Sequence, residues 1–254
     1  MNTELLAQLY QSYTGEAPTS IEPLPGAGSN RKYFRLKGKE SLIGVYGTST
    51  EENRAFIYMA RHFSQKGLPV PRILAESPDQ SVYLQDDLGD TSLFQLIKQG
   101  RESGNFSDEE TNILKRTIRL LPQIQFEGSK EMDFSYCYPL ATFNRRSVLW
   151  DLNYFKYCFL KATGLEFQEN LLEDDFERMS DTLLQIEPQV FMYRDFQSRN
   201  VMIREEKPYF IDFQGGRKGP FYYDVASFLW QAKANYPDSL RQELLNEYIC
   251  LLYT

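Results

Sequence analysis

Apolar residues first recur at helical spacing in residues 1 to 15, where Leu5, Leu6, Leu9 and Tyr13 share a face and Gly15 supplies a stop. The pattern then shortens to strand-like runs: one ending near Leu24, one from Lys32 to Leu36 and one from Leu42 to Tyr46. Helical spacing returns over residues 51 to 66, with Phe56, Met59, Ala60 and Phe63 three and four apart, until Gly67 and the Pro69/Pro71 pair end it. Ile73 to Ala75 and Ser81 to Gln85 read as two further strands. The turn Asp86-Asp87-Leu88-Gly89-Asp90 follows, and after it the pattern turns helical.

Ser107 and Glu110 form a capping box before a helix bearing Ile113, Leu114, Ile118 and Leu121. Further helices are expected over about 147 to 162 and 170 to 186, then a strand-like, loop-rich segment to about residue 220, then helix to the end. The run Trp150 to Phe159 is expected to be a core helix. The order predicts an α+β chain of two lobes: residues 1–88 as a small antiparallel sheet with one helix, and 89–254 as a mainly helical lobe, joined by a hinge near 85–90. The apolar run from Tyr248 to Thr254 ends without Gly or Pro, which leaves open a further C-terminal region.

Composition narrows the classes. With 254 residues and 42% hydrophobic content the chain can bury a sizeable core. A net charge of -7 argues against a broad nucleic-acid footprint, which needs clustered Lys and Arg. Cys137, Cys158 and Cys250 lack the short spacings of zinc or redox motifs and are expected to be reduced core residues. No basic leader and no run of about 18 to 20 apolar residues stands in the sequence, so the expectation is a cytoplasmic protein off the membrane. The single histidine, His62, falls in a helical stretch and is given a structural role.

The chemistry gathers in Tyr193-Arg-Asp-Phe-Gln-Ser-Arg-Asn200, Pro208-Tyr-Phe-Ile-Asp-Phe-Gln-Gly-Gly216 and Tyr222-Tyr-Asp-Val-Ala226. Asp195 and Asn200 lie five positions apart, and Asp212 closes an apolar strand. This is the order of a phosphoryl-transfer loop followed by a magnesium-binding Asp. Asp195 would accept or orient the acceptor hydroxyl proton, and Asn200 and Asp212 offer Mg²⁺ hard oxygen ligands. Gly215 and Gly216 let the backbone turn after Asp212. Asp224 reads as a structural acid bracing the loop, and Tyr193 stands where protein kinases usually carry His.

These segments resemble the aminoglycoside phosphotransferase and choline kinase family, with its protein-kinase-like fold. Within it the chain looks most like sugar kinases that phosphorylate N-acetylmuramate and N-acetylglucosamine. The resemblance also covers Gly28 to Leu36, Gly67 to Leu74, Gln85 to Asp90 and Lys218 to Pro220. It implies that Gly26, Gly28 and Ser29 cover the nucleotide phosphates. It makes Gln85, Asp86 and Leu88 the adenine-facing hinge, and Glu52, or its neighbour Glu51, the helix glutamate that pairs with a phosphate-binding cation. The third strand, Ser41 to Gly47, has no lysine for that role, leaving Arg31, Lys32 or Arg35 as alternatives. Acceptor contacts are placed at Asp195, Arg199, Gln214, Lys218 and Asp151.

The expected activity is that of an ATP- and Mg²⁺-dependent phosphotransferase acting on a hydroxyl of a sugar or amino sugar. The alternatives are phosphorylation of choline, an aminoglycoside or another small alcohol, and a nucleotide-binding regulatory module without catalysis.

Overall fold

The computed structural model describes residues 2–25, 31–185 and 189–252. Helix α1 (Asn2–Thr14) leads into strands β1 (Ser20–Leu24), β2 (Lys32–Lys37) and β3 (Leu42–Tyr46). Helix α2 (Thr50–Gln65) follows, then β4 (Ile73–Glu76) and β5 (Val82–Asp86). The five strands form one antiparallel sheet in the order β1-β2-β3-β5-β4. Alternation along the strands decides which helix covers which face. Leu36, Leu42, Val82 and Leu84 meet Leu6 and Tyr10 of α1, whereas Ile43, Val45 and Tyr83 join the core beneath α2. Gly44 sits where α1 presses closest: a Cβ there would lie 2.6 Å from Leu36 Cδ1 and 2.8 Å from Leu6 Cδ2.

Helix α2 starts at the Ser49 cap, with Glu51 and Glu52 in its first turn, and buries Phe56, Met59, Ala60 and Phe63. His62 Nε2 lies 2.8 Å from the Gly128 carbonyl, a structural contact as expected.

Beyond the sheet come α3 (Leu93–Leu96), α4 (Lys98–Ser103) and α5 (Asp108–Pro122), the last opened by the Ser107/Glu110 capping box. A π turn, Gln123–Glu127, extends α5. Helix α6 (Arg145–Phe155) runs through a second π turn, Lys156–Leu160, into α7 (Lys161–Thr163), and α8 (Glu169–Leu184) packs beside α6. Two antiparallel ladders follow: β6 (Gln189–Met192) pairs β9 (Arg217–Pro220), and between them in the chain lies the hairpin of β7 (Val201–Arg204) and β8 (Lys207–Phe210). Helices α9 (Tyr222–Leu229) and α10 (Asp238–Leu252) close the described chain, α10 against α5. No helix among the described residues is long and apolar enough to cross a membrane.

Two expectations are corrected. Only Cys137 is buried, whereas Cys158 and Cys250 are exposed. The aromatics of α6 and its π turn are also not core: Trp150, Tyr154, Phe155, Tyr157 and Phe159 are all exposed. Helix α6 faces the molecule chiefly through Ser147, Val148 and Leu152, and among the described residues no layer covers its other flank.

Candidate active site

The loop after β6 is held from beneath by a carboxylate. Asp224 of α9, wholly buried, accepts the Tyr193 amide on Oδ2 at 2.9 Å and the Arg194 amide on Oδ1 at 2.8 Å. This is the bracing role expected of it. The grip matters because Arg194 has a φ of +76°, a conformation that costs a side-chain-bearing residue about 1–3 kcal/mol unless its surroundings enforce it. Burial pushes the Asp224 carboxyl up to about 7, against the hydrogen bonds that favour its charge.

Turning there, the chain presents Asp195 and then a short 3-10 turn, Ser198–Asn200. Ser198 donates from both its amide and its hydroxyl to Gln231 Oε1, at 3.1 and 2.7 Å. Asn200 Nδ2 donates to the Asp195 carbonyl at 2.8 Å, which leaves Asn200 Oδ1 as a hard oxygen donor. Tyr193 is buried at the histidine position, its hydroxyl donating to the Ile211 carbonyl just before Asp212. Tyrosine thus ties the segments bearing Asp195 and Asp212 together without an imidazole. Burial is the main cause that raises the Asp195 carboxyl above its ordinary range; Asp212 and Asp151 add to it, and Arg194 and Arg199 oppose it.

Asp212 has a φ of +67°. Its Oδ1 receives Gln214 Nε2 at 2.9 Å and Arg31 Nη2 at 2.9 Å. Phe213 behind it is buried, stacked on Phe56 of α2 at 4.7 Å and edge-on to Tyr193 at 6.1 Å. Gly216 is explained by space rather than by φ: a Cβ there would lie 2.4 Å from the Phe191 ring.

Among the three cations offered for the missing lysine, Arg31 is the one aimed inward. It is 3% exposed, pairs with Glu52 at 3.5 Å as well as with Asp212, and lies near the rings of Tyr33 and Phe56. Lys32 is exposed, and Arg35 is turned to Asp87 at 2.7 Å and Asp90 at 2.8 Å. Glu52, not Glu51, makes the helix contact. Val45 occupies the inner face of the third strand instead of a lysine, registered between Tyr33 and Tyr83.

A cavity of about 320 Å³ opens between sheet and helices, walled by Ile43 and Phe56 above, Gln85 to Asp90 at the back, and Asn200, Met202 and Asp212 below. Gln85, Asp86 and Leu88 all line it, and the Asp86 carboxylate is bound to Arg72 at 2.8 Å. Gly26, Gly28 and Ser29 lie outside the described residues.

The expected acceptor residues separate. Arg199 lines this cavity, Gln214 is engaged on Asp212, and Lys218 is exposed on β9, its backbone paired with residues 141 to 143. Asp151 does stand beside the catalytic loop, accepting Arg194 Nη2 at 2.9 Å and the Tyr223 hydroxyl at 3.2 Å. Sequence reasoning gave Arg194 no role, although it stands inside the Arg-Asp-x4-Asn motif, and missed Gln125 and Gln231, each of which acts through a partner more than 30 positions away where no local motif marks it.

A strand-rich lobe carrying one inner helix, a helical lobe, and an Asp-Asn-Asp set at the cleft between them define the protein-kinase-like fold. The chain belongs to the phosphotransferase enzyme family, whose model matches residues 20–253. It is 27% identical over 237 residues to an N-acetylmuramate/N-acetylglucosamine kinase of Pseudomonas aeruginosa, covering 91% of this chain and 65% of that protein. It is 29% identical over 183 residues to the protein of that name from Neisseria meningitidis, covering 70% and 51%. The chain therefore spans less than two thirds of the length of these curated relatives. Among solved structures, a choline kinase from Cryptosporidium parvum superposes with a TM-score of 0.68 at 12% identity, over 99% of this chain and 80% of that one. The streptomycin-ATP-APH(2")-IIa ternary complex gives 0.69 at 15%, over 98% and 83%. At these identities the likeness is one of fold.

Proposed function

We propose that this chain transfers the terminal phosphoryl group of Mg-ATP to a hydroxyl of a small sugar, with N-acetylmuramate and N-acetylglucosamine as the first acceptors to consider. The observation that carries the reading is the joining of Asp195, Asn200 and Asp212 through the Asn200 and Tyr193 hydrogen bonds, at a cavity lined by Asn200 and Asp212, with Arg31 paired to Asp212. The curated relatives' names support the sugar.

Asp195 takes or orients the proton of the acceptor hydroxyl, and its proton affinity, raised chiefly by burial, makes it a stronger base than an ordinary carboxylate. Asn200 Oδ1 and the Asp212 carboxylate fit a magnesium ion, being hard oxygens on adjoining segments. Held there, the ion would supply positive charge to offset that of the nucleotide phosphates. Arg31 meets the nucleotide phosphates, steadied by Glu52. Gln85 to Asp90 form the hinge between a lobe ending near residue 88 and the helical remainder, with the base against Gln85 and Leu88. Asp151, together with Arg194, borders the acceptor. The absent third-strand lysine, which together with Tyr193 in place of His speaks for a module without catalysis, has a counterpart in Arg31.

The test is ADP release from Mg-ATP with N-acetylmuramate, N-acetylglucosamine, simple hexoses, choline and an aminoglycoside. Turnover on an amino sugar that Asp195→Ala abolishes supports the proposal; turnover on choline or the aminoglycoside alone refutes the sugar.

A further inference from the structure

Helix α5 does not run out on its regular face. After Pro122 the chain makes the π turn Gln123–Glu127, and a π turn shifts the residues beyond it around the helix axis. The turn buries the amide of Gln125 completely, among groups from α9 and α10. Gln125 Nε2 donates to Asp224 Oδ2 at 2.9 Å and to the Phe221 carbonyl at 2.7 Å. Its Oε1 accepts the Tyr248 hydroxyl at 2.6 Å. A carboxylate and a carbonyl at one end both require the NH₂ there, so the amide has one satisfactory orientation.

We propose that Gln125 is a positioning residue for phosphoryl transfer: backed by Tyr248, it keeps Asp224 an acceptor for the Tyr193 and Arg194 amides and so holds Asp195 and Asn200 in register. The inference rests on the phosphotransferase reading above. Every group that bonds Asp224 is a donor: two backbone amides from the catalytic loop and one side-chain amide from the π turn. A proton on either carboxyl oxygen would face no acceptor and would displace one of these donors.

Other charged and titratable groups nearby bear on that proton. Burial and the charge of Asp195 favour it, and the three donors oppose it. The Arg194 side chain is committed to Asp151. On α9 itself, the hydroxyls of Tyr222 and Tyr223 bond the Leu183 carbonyl and Asp151. From α10, Tyr248 reaches Asp224 only through Gln125. Its hydroxyl opposes a flip of the amide, and the flipped amide is the orientation that would welcome a protonated Asp224.

The test follows the Tyr193 and Arg194 backbone amide resonances of the ¹⁵N-labelled full chain from pH 5 to 9, beside kcat with Mg-ATP and N-acetylglucosamine. Wild type is compared with Gln125→Ala and Tyr248→Phe. The expected result is an amide midpoint raised by about one pH unit in Gln125→Ala, which leaves roughly tenfold less ionised Asp224 below the midpoint. kcat at neutral pH falls accordingly, is regained at pH 8.5 or above, and leaves the KM for ATP within about twofold. Tyr248→Phe, which preserves volume, shifts the midpoint the same way by less and decides the matter should Gln125→Ala fold poorly. Unmoved midpoints, or a loss of kcat equal at all pH values, overturn the proposal. A wild type that turns over no acceptor counts against the phosphotransferase reading, while the midpoints still decide the link between Gln125 and Asp224.

Discussion

Arg31 Nη2 lies 2.9 Å from Asp212 Oδ1, joining the first residue before β2 to the carboxylate that follows β8. The sheet lobe's inward cation and the helical lobe's acid are thus direct neighbours. Arg31→Ala should lower kcat/KM for ATP by about 10²- to 10³-fold, the usual loss when a fixed charge opposite developing phosphate charge is removed. Val45→Lys in that background should recover part of it, because Val45 shares the inner sheet face with Tyr33 and Tyr83. Steady-state kinetics with varied ATP check both variants.

Asp195→Ala should reduce kcat by about 10²- to 10⁴-fold while nucleotide affinity, measured by calorimetry, stays near wild type. Asp212→Asn should instead weaken the response to added Mg²⁺. Equal loss of nucleotide binding in both variants would contradict the division of roles.

The loop bearing these residues was legible because its chemistry is local: Asp195, Asn200 and Asp212 keep a characteristic spacing, and strand pattern puts Asp212 at a strand end. The inward cation was not, because choosing Arg31 over Lys32 or Arg35 needs the strand's twist and the position of Glu52. The bracing acid was visible as Asp224, but Gln125 was hidden by a π turn that breaks the 3.6-residue period. The α6 aromatics misled for a related reason: apolar content marks a helix that can be buried, whereas only neighbouring elements decide whether it is.

Stability should also respond to Asp224. Burial holds its folded-state pKa, about 7, above the unfolded value near 3.9, so the native state binds this proton more tightly. Its contribution is fully present below about pH 4 and is lost as pH rises through about 7, a change on the order of a few kcal/mol. Urea midpoints at pH 5 and 8 should show a decline in wild type that is smaller in Asp224→Ala. Activity runs the other way, since the ionised form receives the loop amides.

Gly216→Ala should destabilise the fold by about 1–3 kcal/mol through overpacking, because its Cβ would meet both the Phe191 ring and, at 2.9 Å, the Phe213 carbonyl. Gly164→Ala has open space but a φ of +70°, so its cost of about 1–2 kcal/mol is backbone strain alone. Urea denaturation distinguishes them when paired with kinetics: only the first should also lower kcat, since it displaces the segment after Asp212.

Placing the inward cation at residue 31 has a mechanical consequence. A lysine on the third strand would be anchored in mid-sheet, independent of whatever the chain does between the first two strands. Arg31 instead follows Gly26-Ala27-Gly28-Ser29-Asn30 directly in sequence, so the segment compared with a phosphate cover and the inward cation are consecutive along the chain. Any displacement of Arg31 is transmitted through Glu52 to α2, so that cation and helix respond together.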